Sequence, residues 1–220
     1  APTDSHLRVS GATWGDVSTA SGWVYSYGEE DWYTSAQALA RTRAHLDYSN
    51  SNGLPIAAMG FGWCWDMTWM NAPSGTEDPV HRVRWAGSSV NGPEGNLAWG
   101  LDAEDAALTG NSVCMNTYLE ATRQFDAYCA SQGYTTRVFF TTGPVDGYTG
   151  ENGVQRQIKH QHIREYAAAL EGAILFDYAD ILAWGDSGTE NVDTWTDTHG
   201  AVRSYQMIHP DNMLDLDGGY

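Results

Sequence analysis

The sequence has no run of about 18 apolar residues, the length a helix needs to cross a bilayer, so it carries no candidate membrane-spanning helix. Basic residues are scarce: 11 Lys plus Arg face 28 Asp plus Glu, a formal net charge of −17. A surface that negative repels phosphate backbones and anionic headgroups, so neither nucleic acid nor a membrane surface is an expected partner. Cysteine is sparse and odd in number: Cys64, Cys114 and Cys129. No Cys-x-x-Cys or His-x-x-x-His pair accompanies them, so no metal site and no cofactor is expected. Cys114 and Cys129 fall on one helix, where about 15 residues span ~22 Å, too far for a disulfide. Cys64 is left to pair with either. Internal repeats and low-complexity linkers are also missing, and the length suits one α/β domain over residues 1–220.

What is abundant is aromatic: 10 Trp and 12 Tyr. Aromatic faces stack on the C–H faces of sugar rings, which points to a carbohydrate partner; the competing reading is that these rings fill the core. The chain opens Ala1-Pro2-Thr3-Asp4 without Met, as a mature terminus would after removal of an export signal, so secretion is expected.

Periodicity and punctuation predict alternating strands and helices. The strands are residues 7–10, 55–61, 137–141 and 173–176. The helices are residues 35–50, 112–131 and 155–170, closed by Asn52-Gly53, Gly133 and Gly172. A Gly- and Pro-rich loop spans 67–111, and the tail after Trp184 reads as irregular and polar. The order βαβαβαβ predicts a three-layer α/β sandwich with a mainly parallel central sheet, flavodoxin-like, and helices on both faces. Sites in such sheets form at the carboxyl ends of the strands. The segments to watch are therefore 11–16, 62–66, 142–147 and 177–186.

Three strand-end pieces, GFGWCWD (60–66), VFFTTGPVDG (138–147) and ILFDYADI (174–181), and the helix RQIKHQHIREY (156–166) resemble the SGNH (GDSL-like) hydrolases of secreted bacterial carbohydrate processing. The resemblance implies a nucleophilic hydroxyl after the first strand, an oxyanion hole and a late histidine base. It places Thr13, with Ser10 as the alternative, at the nucleophile. It puts Gly62, Trp63, Trp65, Asp66, Gly143 and Asp146 at the oxyanion and substrate positions, and His209, with His199 as runner-up, at the base. The activity implied is an esterase on acylated glycan or a small ester.

The sequence departs from the family pattern in five places, one of them Trp65-Asp66, which stands where an Asn-like donor is expected after the second strand. Thr13 stands where a serine is expected, and Gly143-Pro144 stands where relatives carry Gly-His. No Asp lies three residues before His209 or His199. No helix follows an Asp-x-x-His block before Tyr220, so the natural C-terminus is expected to extend further or to have been processed. These departures imply a second option, a degenerate relative that binds glycan or self-assembles as a homo-oligomer.

Other constellations have plainer readings. Gly185-Asp186-Ser187 spells a GDS triplet after the last strand and reads as a turn. Asp177, Asp180, Asp186 and Asp193 read as solvated or helix-capping acids. Asp66, Glu77 and Asp78 with Asp102, Glu104 and Asp105 suit a two-carboxylate glycosidase only if they converge. His160 and His162, two apart on a helix, point to different faces and read as solvated or capping. Trp63, Trp65, Trp69, Trp85 and Trp99 either line a glycan cleft or staple the loop to the core.

Overall fold

The computed structural model describes residues 33–63, 76–85, 100–109, 114–145 and 147–213. They form a mixed α/β fold. Three strands, β1 (Ala58–Gly60), β2 (Arg137–Thr141) and β3 (Ile174–Phe176), make a parallel sheet in that order. The register sets Met59 beside Val138 and Phe140 beside Leu175. A second sheet is an antiparallel hairpin, β4 (Val192–Thr196) with β5 (Val202–Gln206).

Helix α1 (Ala36–Ser51) starts where Ser35 Oγ accepts the Ala38 N–H at 3.2 Å. Its loss would leave a first-turn donor unpaired. After β1 come the short α2 (Ala103–Thr109) and the long α3 (Met115–Gln132). At the start of α3, the Cys114 N–H bonds back to Thr117 Oγ1 at 3.2 Å, half of a capping box. Helix α4 (Glu151–Ala168) links β2 to β3, and α5 (Tyr178–Ala183) follows β3.

One apolar cluster joins Leu46 of α1, Leu119 and Phe125 of α3, Val138 and Phe140 of β2, and Val154 and Ile163 of α4. Met59 and Leu175 pack against it, so alternate positions of all three strands point to the same helical layer. A smaller cluster, Val145, Ala179, Leu182 and Ile208, ties the loop after β2 to α5 and to the chain beyond β5.

The expected elements are present with shifted ends. The strand over 55–61 pairs only at Ala58–Gly60. The helix expected over 155–170 begins four residues earlier, at Glu151, because Arg84 pairs with the Glu151 carboxylate and anchors that first turn. The helix over 112–131 is Met115–Gln132, and the strand over 137–141 matches β2. The strand expected over 7–10 lies outside the described residues.

Two expectations are corrected. The tail after Trp184 is not irregular: it contains the β4–β5 hairpin, docked on α4. Gly153 permits that docking, since a Cβ there would sit 2.3 Å from the Tyr205 ring. The 67–111 stretch is not structureless either, because it carries α2 and the packed segment 76–85 with buried Val83 and Trp85.

Candidate functional site

Parallel pairing puts the carboxyl ends of β1, β2 and β3 on one edge, so the turns at Gly62, at Thr142-Gly143 and at Asp177 share a rim. Thr141 Oγ1 donates to the Phe61 carbonyl, which holds the first two turns together. The Thr142 N–H reaches the Phe176 carbonyl at 3.2 Å. Thr142 Oγ1 donates to Asp177 Oδ1 at 2.9 Å and accepts from the Ala179 N–H at 2.8 Å, which holds the second and third turns together.

A charged network braces this rim from α4. Arg164 donates through Nε to Asp177 Oδ2 at 2.6 Å and through Nη2 to Asp177 Oδ1 at 3.0 Å. The same Nη2 reaches Gln206 Oε1 at 3.1 Å. Gln206 Nε2 then donates to Asp180 Oδ1 at 3.0 Å and Glu190 Oε1 at 2.8 Å. Burial works against ionisation of Asp177, but the Arg164 guanidinium and the Thr142 hydroxyl outweigh it, and its carboxyl titrates below the usual range. Asp177 also caps α5 by accepting the Asp180 N–H, as its position suggested.

The segment that carries His209 is anchored beside the loop after β2. Ile208 sits fully buried against Val145, two residues after Gly143, and the His209 N–H donates to the Leu182 carbonyl at 2.8 Å. The carboxylate sought three residues before His209 is instead two residues after it: Asp211 Oδ2 lies 3.3 Å from His209 Nδ1. The Asp211 N–H also points at Nδ1, at 3.2 Å. Gly185 gives the imidazole its room, because a Cβ there would meet His209 Cε1 at 2.2 Å. The GDS triplet is a turn, with the Gly188 N–H bonded to the Gly185 carbonyl, and its Asp186 N–H holds Asp211 Oδ2 at 3.0 Å.

A second polar group lies on another stripe of α4, where Glu151, Gln155, Lys159 and His162 follow at helical spacing. Asp78 and Asp105 converge on the Trp85 indole: Nε1 donates to Asp78 Oδ2 at 3.1 Å and also supports Asp105. Burial and the nearby Asp78 charge push the Asp105 carboxyl up. Lys159 is wholly buried, and desolvation lowers its ammonium to about 7 against the pull of Asp105. Gln155 is fully buried with neither amide atom hydrogen-bonded among the described residues.

His160 and His162 are not solvated. His162 Nε2 lies 2.7 Å from Asn116 Oδ1. His160 is fully buried between Arg156 and Arg164, one turn away on each side, with no hydrogen-bond partner for either ring nitrogen among the described residues. Burial and the flanking cations push its ring pKa well below the usual value, so it is neutral.

The other sequence candidates separate. Trp63 and Trp85 are core residues, at 9% and 1% exposure, so they staple rather than line a cleft. Of the six acids, Asp78 and Asp105 meet. Glu77 instead accepts from Thr198 at 2.6 Å and lies 2.9 Å from His199 Nε2, which takes His199 to the hairpin tip. Asp102 caps α2. Cys114 and Cys129 are free thiols. Ser10, Thr13, Cys64, Trp65, Asp66, Trp69, Trp99 and Asp146 lie outside the described residues.

Sequence reasoning missed Asp211, Gln206 and Arg164. The signal for Asp211 was present in His209-Pro210-Asp211, where a Pro-started turn brings the acid back to the ring. Gln206 carried none, because its partners lie 16 to 50 residues away.

Among the described residues no group of three metal-ligating side chains occurs, and no helix is long and apolar enough to cross a membrane. In comparisons with known proteins, no family model, no curated protein and no solved structure matches the chain.

Proposed function

We propose that this chain is a secreted SGNH-type hydrolase, an esterase that removes acyl groups from a glycan. In this reading the parallel sheet is the middle of a three-layer α/β sandwich. Thr13 or Ser10 supplies the nucleophilic hydroxyl, Gly62 and Gly143 flank the oxyanion position, and His209 is the base.

The observation that supports it best is the His209–Asp211 pair, 3.3 Å apart, in the segment whose Ile208 packs with Val145 of the loop after β2. The chemistry follows from that pairing. For catalysis Nδ1 carries the proton and donates it to the Asp211 carboxylate, 3.3 Å away, in place of accepting the Asp211 N–H; Nε2 then accepts the proton of an attacking hydroxyl, and the carboxylate stabilises the imidazolium formed. A fluorophosphonate probe tests this: the protein is labelled, and His209→Ala slows labelling about 100-fold or more. A folded protein that stays unlabelled refutes it.

One observation favours the degenerate alternative, a glycan-binding or self-assembling domain. The Asp211 N–H also bonds Nδ1 of His209, and that bond selects the opposite tautomer, with Nε2 already protonated. Glycan pull-down and sedimentation without labelling favour this second reading; labelling favours the first.

A further inference from the structure

Of the tryptophans first expected to face a glycan, Trp63 and Trp85 are buried, and a different aromatic surface lies beside the rim. Helix α5 buries Ala179, Leu182 and Ala183 on its inner side. Tyr178, in its first turn, is half-buried against that inner cluster, whereas Ile181 and, just past the helix end, the extended C-cap Trp184 are exposed to 54% and 42%. Phe176, 47% exposed, continues the stripe: its ring stacks on Tyr178 with centroids 6.1 Å apart and planes 14° from parallel. Asp177, which links the turns after β2 and β3, lies between these two rings in sequence. The stripe is therefore continuous with the candidate site.

Its chemistry narrows the occupant. The Trp184 indole N–H is already spent on Asp180 Oδ1 at 3.1 Å, so the ring offers a partner its apolar face and not its polar edge. Asp180 and Glu190, the latter bridged to Trp184, place carboxylates along the apolar stripe. A second copy docked here about a two-fold axis would set those carboxylates against themselves. An anionic glycan or an acidic membrane would meet the same repulsion, on a chain of net charge −17. A neutral sugar ring meets no such penalty: its C–H face lies on the aromatics, and its hydroxyls donate to the carboxylate oxygens.

We propose that Phe176, Tyr178, Ile181 and Trp184 form a platform for a neutral polysaccharide, with Asp180 and Glu190 accepting from its hydroxyls. This rests on the glycan reading above and names the glycan's charge class and where it lies.

The test is affinity gel electrophoresis of the whole chain through hydroxyethyl cellulose and xylan, with polygalacturonate as the anionic comparison. The expected result is retardation by a neutral polymer and none by polygalacturonate. Phe176→Ser and Trp184→Ala should each weaken retardation at least 10-fold. Leu54→Ser, an equally exposed apolar residue at the amino edge of the sheet, should not. Circular dichroism confirms that the variants fold. No retardation by either neutral polymer, equal retardation of the platform variants, or stronger retention by polygalacturonate overturns the proposal. So does a dimer that the platform substitutions dissociate. Fluorophosphonate labelling is read in parallel and reports on the hydrolase alone, so failure of one reading is seen separately from failure of the other.

Discussion

Asp177 and Asp105 both face cations of α4, Arg164 and Lys159, yet the two carboxyls shift in opposite directions. Asp177 sits at the partly open rim and accepts two bonds from a guanidinium and one from a hydroxyl, which hold it ionised. Asp105 sits in the interior, accepts the Leu101 N–H at 2.7 Å, and shares its surroundings with a second carboxylate; burial there costs more than its hydrogen bonds return. Proximity to a cation does not by itself set the charge state. The number of hydrogen bonds to the ionised form, weighed against lost hydration, does.

The contrast is broken most severely by Asp105→Ala. It removes a carboxylate that attracts the buried Lys159 and leaves the Leu101 N–H without its acceptor, and should cost about 3 kcal/mol in urea unfolding. Arg164→Met removes a bidentate partner from a carboxylate that keeps some access to water, so about 1.5–3 kcal/mol is expected.

The pH profile sharpens the comparison. Lys159 binds its proton less well folded than unfolded, so the unfolded state holds more protons from about pH 7 up to the ordinary lysine range. Stability should rise there, with a slope approaching about 1.4 kcal/mol per pH unit from this group, and Lys159→Met should flatten that rise. Asp177 has the acid-side signature: its contribution is present above the ordinary carboxylate pKa and is lost as pH falls through its lowered folded value. Arg164→Met should reduce that loss. The smallest effect is expected for Thr142→Val, which deletes one hydroxyl from the rim and should cost about 1 kcal/mol of stability.

Strand β2 was legible because Val138, Phe139 and Phe140 form a β-branched and aromatic run bounded by turns. Helices α1 and α3 were legible from spacing and caps. The hairpin was not: Val192 and Val202 are exposed, and its anchors are Tyr205 against Gly153 and Gln206 against Arg156, contacts that no local pattern reveals. The same distance hid the burial of α4. The run QRQIKHQHIRE looks solvated until partners from Asn116 to Gln206 surround it. At the candidate site, the strand-end turns were readable from the βαβ order, whereas the approach of Asp211 to His209 depends on the turn that starts at Pro210.

The hairpin's hold on α4 bears on the order in which the chain can be completed. Arg156 finds a carbonyl acceptor on Gln206, 50 positions later. Until that stretch has been synthesised, the guanidinium keeps local partners such as the Tyr148 carbonyl but lacks this one. A ribosome-bound chain ending before β5 would therefore show α4 open to protease and to hydrogen exchange, and the full-length chain would close it in a single late step.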